Sequence, residues 1–228
     1  MKLKFKAILL GAIAACSSVG SAITVDTLAH LKDTGASLSI GDKTFSGFDF
    51  TANNLTSFDP TSIQAKVSIV DGIYFLTWAG NISVATLGSA TGDLKLSYTV
   101  SAAGGAITSI DQNYAGGLTG GIGSLSVKET VKIGPNEVVA TSTLGVSDLS
   151  DPVAEPTDDL FVNPGQSVLN VLTDIDFSIT ASSGQLGLAV VSELGQSFHQ
   201  ENKVPDAGSA LALLGIGIVM VEGLRRKM

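Results

Sequence analysis

Between Ile23 and Phe198 the chain alternates apolar and polar residues with a period of two, and this pattern constrains the fold more than any other feature. Leu169, Val171, Ile175, Phe177 and Ile179 share one face of a run whose other face carries Asn170, Asp174 and Asp176. Leu94, Leu96, Tyr98 and Val100 alternate with Lys95, Ser97 and Thr99. Leu125, Val127 and Val131 alternate with Ser124, Ser126, Lys128 and Thr130. Successive side chains of a strand point to opposite faces, so each run buries one set and hydrates the other. Further strand candidates are Ser37–Ile40, Lys43–Thr51, Ile63–Val70, Ile73–Trp78, Ile107–Asn113, Glu137–Val146 and Leu186–Phe198. About ten short strands with Gly, Asp, Asn and Ser between them predict an all-β chain, an antiparallel sandwich or jelly roll in a single domain.

The punctuation agrees. Asp71-Gly72 separates two strand candidates by two residues, as a tight hairpin requires. Gly134-Pro135-Asn136 does the same for another pair. Ala115–Gly123 (AGGLTGGIG) reads as a flexible connection, and Ser147–Pro164 as a long acidic loop without a strand. Gln200–Val204 reads as a linker. The expected organisation is an N-terminal segment over 1–22, a β-sandwich over 23–199, a linker over 200–203 and a C-terminal segment over 204–228.

Charge is unevenly distributed. Of 13 Lys and Arg residues, three lie in the first six positions and three in the last four. From Ile23 to Pro205 there are seven lysines, no arginine and 19 acidic residues, a formal charge of −12. Such a surface repels phosphate backbones, which excludes nucleic acid as a partner. A single cysteine excludes a disulfide framework and a zinc-thiolate centre.

The ends differ from the middle. Lys2, Lys4 and Lys6 precede the apolar stretch Ala7–Ala15, and Gly20-Ser21-Ala22 supplies small residues for a cut after Ala22. Basic, then apolar, then small is the order of a secretory signal peptide. Ile13-Ala14-Ala15-Cys16 has the form of a lipobox, with Cys16 as a lipidation candidate; the reading preferred here is a small residue ahead of the Ala22 cut. At the other end, Val204-Pro205-Asp206 opens a segment whose apolar run, Ala207–Val221, spans roughly 22 Å as a helix. That is a marginal transmembrane helix, extended by Leu224 and stopped by Arg225, Arg226 and Lys227, which stay in the cytoplasm by the positive-inside rule.

Val204, Pro205, Asp206, Gly208 and Ser209, followed by an Ala/Leu/Gly-rich helix and the basic cluster Arg225-Arg226-Lys227, resemble the PEP-CTERM family of sorting signals in its VPD variant. The resemblance covers about 25 residues. Asp206 stands where many members carry glutamate, and Glu222 intrudes on the helix end. The resemblance implies processing by an exosortase, a Gram-negative bacterium that makes exopolysaccharide, and a destination in the cell envelope, at the cell surface or in the extracellular matrix. The expected partners are thus the secretion machinery, an exosortase, the membrane through the C-terminal helix, and exopolysaccharide.

The middle offers little chemistry. It lacks G-x-S-x-G, H-E-x-x-H and P-loop motifs, and no cofactor is expected. His30 and His199, near opposite ends of the domain sequence, read as surface residues rather than catalytic ones. Asp158, Asp159, Asp174 and Asp176 are weak Ca²⁺ candidates, since no D-x-D-x-D-G run accompanies them; they read as solvated acids. Trp78 ends a strong apolar run and reads as core rather than sugar platform. Asn54-Leu55-Thr56 and Asn81-Ile82-Ser83 match a glycosylation pattern by coincidence. The expectation is a non-catalytic exported surface or matrix protein. The alternatives are a secreted carbohydrate-binding module or hydrolase, and a lipoprotein held through Cys16.

Overall fold

The computed structural model describes residues 23–147 and 157–201. The expected signal peptide with Cys16 and Ala22, and the whole C-terminal segment with its expected helix, lie outside the described residues.

Strands β1 (Thr24–Thr27), β4 (Gln64–Val70), β5 (Ile73–Thr86), β12 (Gly187–Gln200), β7 (Ile107–Thr119) and β10 (Thr157–Gln166) form one six-stranded sheet in that order. Strands β2 (Leu38–Ile40), β3 (Lys43–Asn53), β6 (Ser89–Ala102), β11 (Val168–Ala181), β8 (Gly121–Ile133) and β9 (Glu137–Ser147) form the second. We call these sheets 1 and 2; every pairing is antiparallel. Both inner faces bury their apolar sets in one continuous core, because each strand presents every second residue inward. Aromatic rings tie the sheets together: Phe45 meets Phe198 edge-on at 5.2 Å, and Phe48 meets Trp78 at 5.7 Å and 83°. The expected sandwich is therefore the observed fold, and Trp78 is buried in it.

Three crossings between the sheets stack side by side at one end. They are β5 to β6 through Leu87-Gly88, β7 to β8 through Gly120, and β11 to β12 through residues 182–186. The β11–β12 crossing is central, since Ala181 N–H donates to Gly88 C=O and Ser182 N–H to Gly120 C=O. We call this the arch end. The glycine-rich stretch Ala115–Gly123 is consequently not a flexible connection. It belongs to β7 and β8 and turns the corner between sheets on Gly120 alone, at φ +70. A Cβ on Gly123 would stand 2.0 Å from the Ser178 carbonyl oxygen, so glycine there permits close backbone approach.

Two other expectations change. Part of the expected loop Ser147–Pro164 is strand: β10 begins at Thr157 and buries Leu160 and Val162. Gln200 is the last residue of β12 rather than linker, and Glu201 N–H still donates to Ala106 C=O. Neither β1 nor the helix α1 (Leu28–Thr34) is among the elements expected from the sequence. Thr27 caps that helix by accepting from His30 N–H, Gly35 ends it in the left-handed conformation, and Leu28 and Leu31 fill the core. Asp71-Gly72 is the expected two-residue hairpin, with both φ angles positive as a type I′ turn demands.

Candidate functional site

The end opposite the arches is where the described chain leaves the sandwich. Register places both its strand ends there. Phe198 of β12 pairs with Tyr74, one residue into β5 after the Asp71-Gly72 hairpin. Thr24 of β1 pairs with Val67, three residues before the end of β4 on the other arm of the same hairpin. We call this the exit end.

Here a lysine is entirely buried. Lys43 opens β3 with its Nζ 2.7 Å from Asp42 Oδ1, donating also to Gln200 Oε1, and lying 4.1 Å from the centre of the Tyr74 ring. Gln200 Nε2 and Gly104 N–H each donate to Asp42 Oδ2, at 3.1 and 3.0 Å. Partial burial pushes the Asp42 carboxyl up. Hydrogen bonds from Lys43, Tyr74 and Gln200, with the Lys43 charge, outweigh it and hold the group below its ordinary value. Burial and the Asp42 carboxylate raise Tyr74. A buried cation is tolerated only with such partners. The result is a polar clamp joining the β2–β3 turn, β5, the β6–β7 turn and the end of β12.

A second polar cluster lies on the outer face of sheet 1, where Asp159, Asp111 and Ser197 are register neighbours on β10, β7 and β12. His199 Nε2 lies 2.6 Å from Asp111 Oδ2 and 3.2 Å from Ser197 Oγ, and Ser197 Oγ donates to Asp111 Oδ2 at 2.9 Å. The residue types are those of a hydrolytic triad, but the arrangement is not a relay. Both partners meet the same ring nitrogen, whereas a triad sets acid and nucleophile on opposite nitrogens. The Asp111 carboxylate raises the exposed Asp159 carboxyl above its ordinary value. On the same face Phe161 is 73% exposed beside Ser109, which in turn pairs with His199.

The remaining sequence candidates separate. His30 lies on α1, exposed, with Nδ1 2.7 Å from Asp26. His199 is half-buried rather than a free surface residue. Asp174 and Asp176 sit together on the outer face of sheet 2, where Asp174 accepts from Lys95 Nζ at 2.8 Å. That bond and charge raise Lys95, while burial and then Asp174 raise Asp176. Asp158 and Asp159 are in sheet 1, on opposite faces of β10: Asp158 shares the inward phase of Gln112, and Asp159 faces out. The four do not converge. Among the described residues no group of three or more His, Cys, Asp or Glu is placed to hold a metal ion. A shallow groove of about 540 Å³ on sheet 2 is lined by Ser97, Thr99, Lys132 and Asn170, and its one aromatic, Tyr98, is buried.

A third feature is not among those expected from the sequence. Glu129, Thr173 and Ser142 of sheet 2 face Gln196 and Gln112 of sheet 1 inside the core, all buried. Gln196 Nε2 donates to Glu129 Oε2 and Thr173 Oγ1, Tyr98 Oη donates to Gln196 Oε1, and Ser142 Oγ donates to Gln112 Oε1. The signal was present: each residue occupies an inward position where its strand otherwise carries an apolar side chain.

The described chain is a two-sheet β-sandwich whose last strand ends at Gln200, shortly before the segment that the family comparison matches. Residues 203–228 match the model of the VPDSG-CTERM motif, a PEP-CTERM-like sorting signal. No curated protein matches the sequence. Among solved structures, TmCBM61 in complex with beta-1,4-galactotriose is 11% identical, with 68% of this chain and 89% of that chain covered and a TM-score of 0.29. A family 11 carbohydrate-binding module from Clostridium thermocellum, in complex with a beta-1,3-1,4-mixed-linked tetrasaccharide, is 12% identical, with 72% and 93% covered and a TM-score of 0.20. The infectious bursal disease virus Gx strain structure is 10% identical, with 80% and 56% covered and a TM-score of 0.33. Similarity of this degree carries no functional inference. Among the described residues no helix is long and apolar enough to cross a membrane.

Proposed function

We propose that the chain is the precursor of a non-catalytic cell-surface or matrix protein of a Gram-negative bacterium. In this reading the secretion machinery removes residues 1–22 after Ala22. The acidic sandwich crosses to the outside. The C-terminal helix then holds the precursor in the membrane until an exosortase processes the tail at Val204-Pro205-Asp206 and Gly208-Ser209. The observation that carries the reading is the sorting-motif match at residues 203–228. Two features support the non-catalytic part: the Ser197–His199–Asp111 contacts meet at one nitrogen, and the sheet 2 groove is shallow. Deleting Val204–Met228 tests it. The expected product is a folded, soluble, secreted domain no longer associated with membranes. A truncated chain that fails to fold, or one that still fractionates with membranes, contradicts the proposal.

A second reading, contact with exopolysaccharide through the outer face of sheet 1, is favoured by Phe161. An aromatic ring held out to solvent beside hydroxyl, imidazole and carboxylate groups suits stacking on a sugar ring with hydrogen bonds to its hydroxyls. Phe161→Ala should abolish retention of the secreted domain on exopolysaccharide from the producing strain; unchanged retention removes the reading.

A further inference from the structure

We infer that the outer face of sheet 1 binds an uncharged polysaccharide laid across its strands, from Phe75 on β5 to Phe161 on β10, with the polar groups between the two rings bonding to sugar hydroxyls. The inference rests on the exopolysaccharide reading above and deepens it. It adds a second aromatic platform, a path for the glycan and a chemical class.

Strand register sets out the parts. On the outer face Ser68 of β4, Phe75 of β5, Ser197 of β12, Asp111 of β7 and Asp159 of β10 are successive neighbours in one row. In the next row His199 of β12, Ser109 of β7 and Phe161 of β10 are neighbours. Phe75 points outward because Leu76, next to it in the strand, fills the core. Its ring is half-buried and stands outside the core cluster. Strands β5 and β10 lie three strand spacings apart, about 14 Å, and the two phenylalanines are offset by one row, about 7 Å. A single sugar ring cannot reach both. A chain crossing the strands can.

The ground between the rings is polar. Ser197 is buried there and bonded to Asp111. His199 Nε2 is taken by Asp111 and Ser197, so Nδ1 is the ring nitrogen left for a ligand. On the other side of the Phe75 row, Gly195 of β12 pairs with Asn113 of β7. A Cβ on Gly195 would stand 2.4 Å from Asn113 Oδ1, so the amide lies over the glycine on the open face. Among the described residues the Asn113 amide has no hydrogen-bond partner. Amide, imidazole and carboxylate together supply the donors and acceptors that sugar hydroxyls need, and the two rings supply stacking surfaces for the apolar faces of the sugars.

Charge decides the class of glycan. Asp111, Asp159 and Glu193 lie on this face, and the cation set against them is Lys66 of β4, in the row of Gly195 and Asn113. A uronate, sulfate or phosphate polymer would bring its charges against three carboxylates of an already acidic domain. An amine polymer would be drawn to every acidic face of the domain rather than to this one. An uncharged chain meets neither obstacle.

The test is affinity electrophoresis of the exported protein, as the producing bacterium processes it, in native gels containing a neutral β-glucan, a galactan, a mannan or polygalacturonate. At least one neutral polymer should retard the protein, and polygalacturonate should not. In the retarding gel Phe75→Ala and Phe161→Ala should each lose the retardation, Phe75→Tyr should keep it, and Asn113→Ala, which removes no hydrogen bond from the fold, should weaken it several-fold. Retardation by none of the neutral polymers, or equal retardation by polygalacturonate, overturns the inference. Loss with Phe161→Ala but unchanged retardation with Phe75→Ala overturns the path across the strands and leaves the reading above standing. Should Phe75→Ala fail to fold, Asn113→Ala decides in the same way, since unchanged retardation in that variant also overturns the path. Unchanged retardation with Phe161→Ala removes the reading above and the inference with it.

Discussion

Gln196 Nε2 reaches across the gap between the sheets to donate to Glu129 Oε2, 2.5 Å away, in a part of the core with no access to water. Burial pushes the Glu129 carboxyl from its ordinary 4.5 up to about 8, only partly opposed by this hydrogen bond. Glu129 is therefore protonated in the folded protein at neutral pH, while in the unfolded chain it is ionised. Between about pH 4.5 and 8 the folded state holds the extra proton, so stability falls as pH rises, by about 1 kcal/mol per pH unit from this group, and levels off above pH 8. Glu129→Gln keeps the shape and the acceptor but cannot ionise. Urea unfolding across pH 5 to 9 should show a flatter profile for the variant and greater stability than wild type at pH 8. Parallel profiles would mean that Glu129 is charged in the fold.

Trp78 is buried against Phe48 and Tyr98, and its indole Nε1 has no hydrogen-bond partner. The ring contributes by packing, and the N–H contributes nothing favourable. Trp78→Ala should cost about 3–5 kcal/mol through the cavity it leaves, and Trp78→Phe less than half of that. Denaturant midpoints for the two variants check this. A Phe variant as unstable as the Ala variant would show that the indole N–H is satisfied.

Lys43 is the one fully buried lysine among the described residues. Lys43→Met retains the stem but leaves the Asp42 carboxylate and Gln200 Oε1 without their cation. Breaking one side of a buried pair in this way should cost about 3 kcal/mol at pH 7. Because the folded Asp42 carboxyl sits below its ordinary 3.8, its contribution is present above that value and fades as pH falls. The gap between wild type and variant should therefore narrow in acid. Adding Asp42→Asn to Lys43→Met should recover part of the loss at neutral pH. A gap that does not change with pH would assign the effect to packing alone.

Much of the fold was legible because the alternation is strict. Leu94, Leu96, Tyr98 and Val100 must face one way, and they do. Asp71-Gly72 specified its hairpin by backbone chemistry. What escaped was either short or read by composition. Helix α1 has only two buried leucines, too few to show a helical period. Pro164 and five nearby acids made Ser147–Pro164 look like a loop, yet β10 is an edge strand, where proline and charge are tolerated. The glycines of Ala115–Gly123 suggested freedom and instead permit a tight corner. The internal polar row was visible as Glu129 among Leu125, Val127 and Val131, but a polar residue at one inward position reads as an interruption until the facing sheet supplies its partner. Asp111, Asp159 and His199 are distant in sequence, and only the order of β10, β7 and β12 brings them together. The sorting signal was the reverse case: its residues are contiguous, so sequence alone carries it.

The most direct test of the account is the intact mass of the protein from cell-associated and released fractions of the producing bacterium. The account predicts chains beginning at Ile23 in both fractions, and a released form cut within or just before residues 204–228. It predicts no lipid on the N-terminus. A chain recovered from the cytosol with Met1 and Met228 both present, and no shorter form outside, would contradict it.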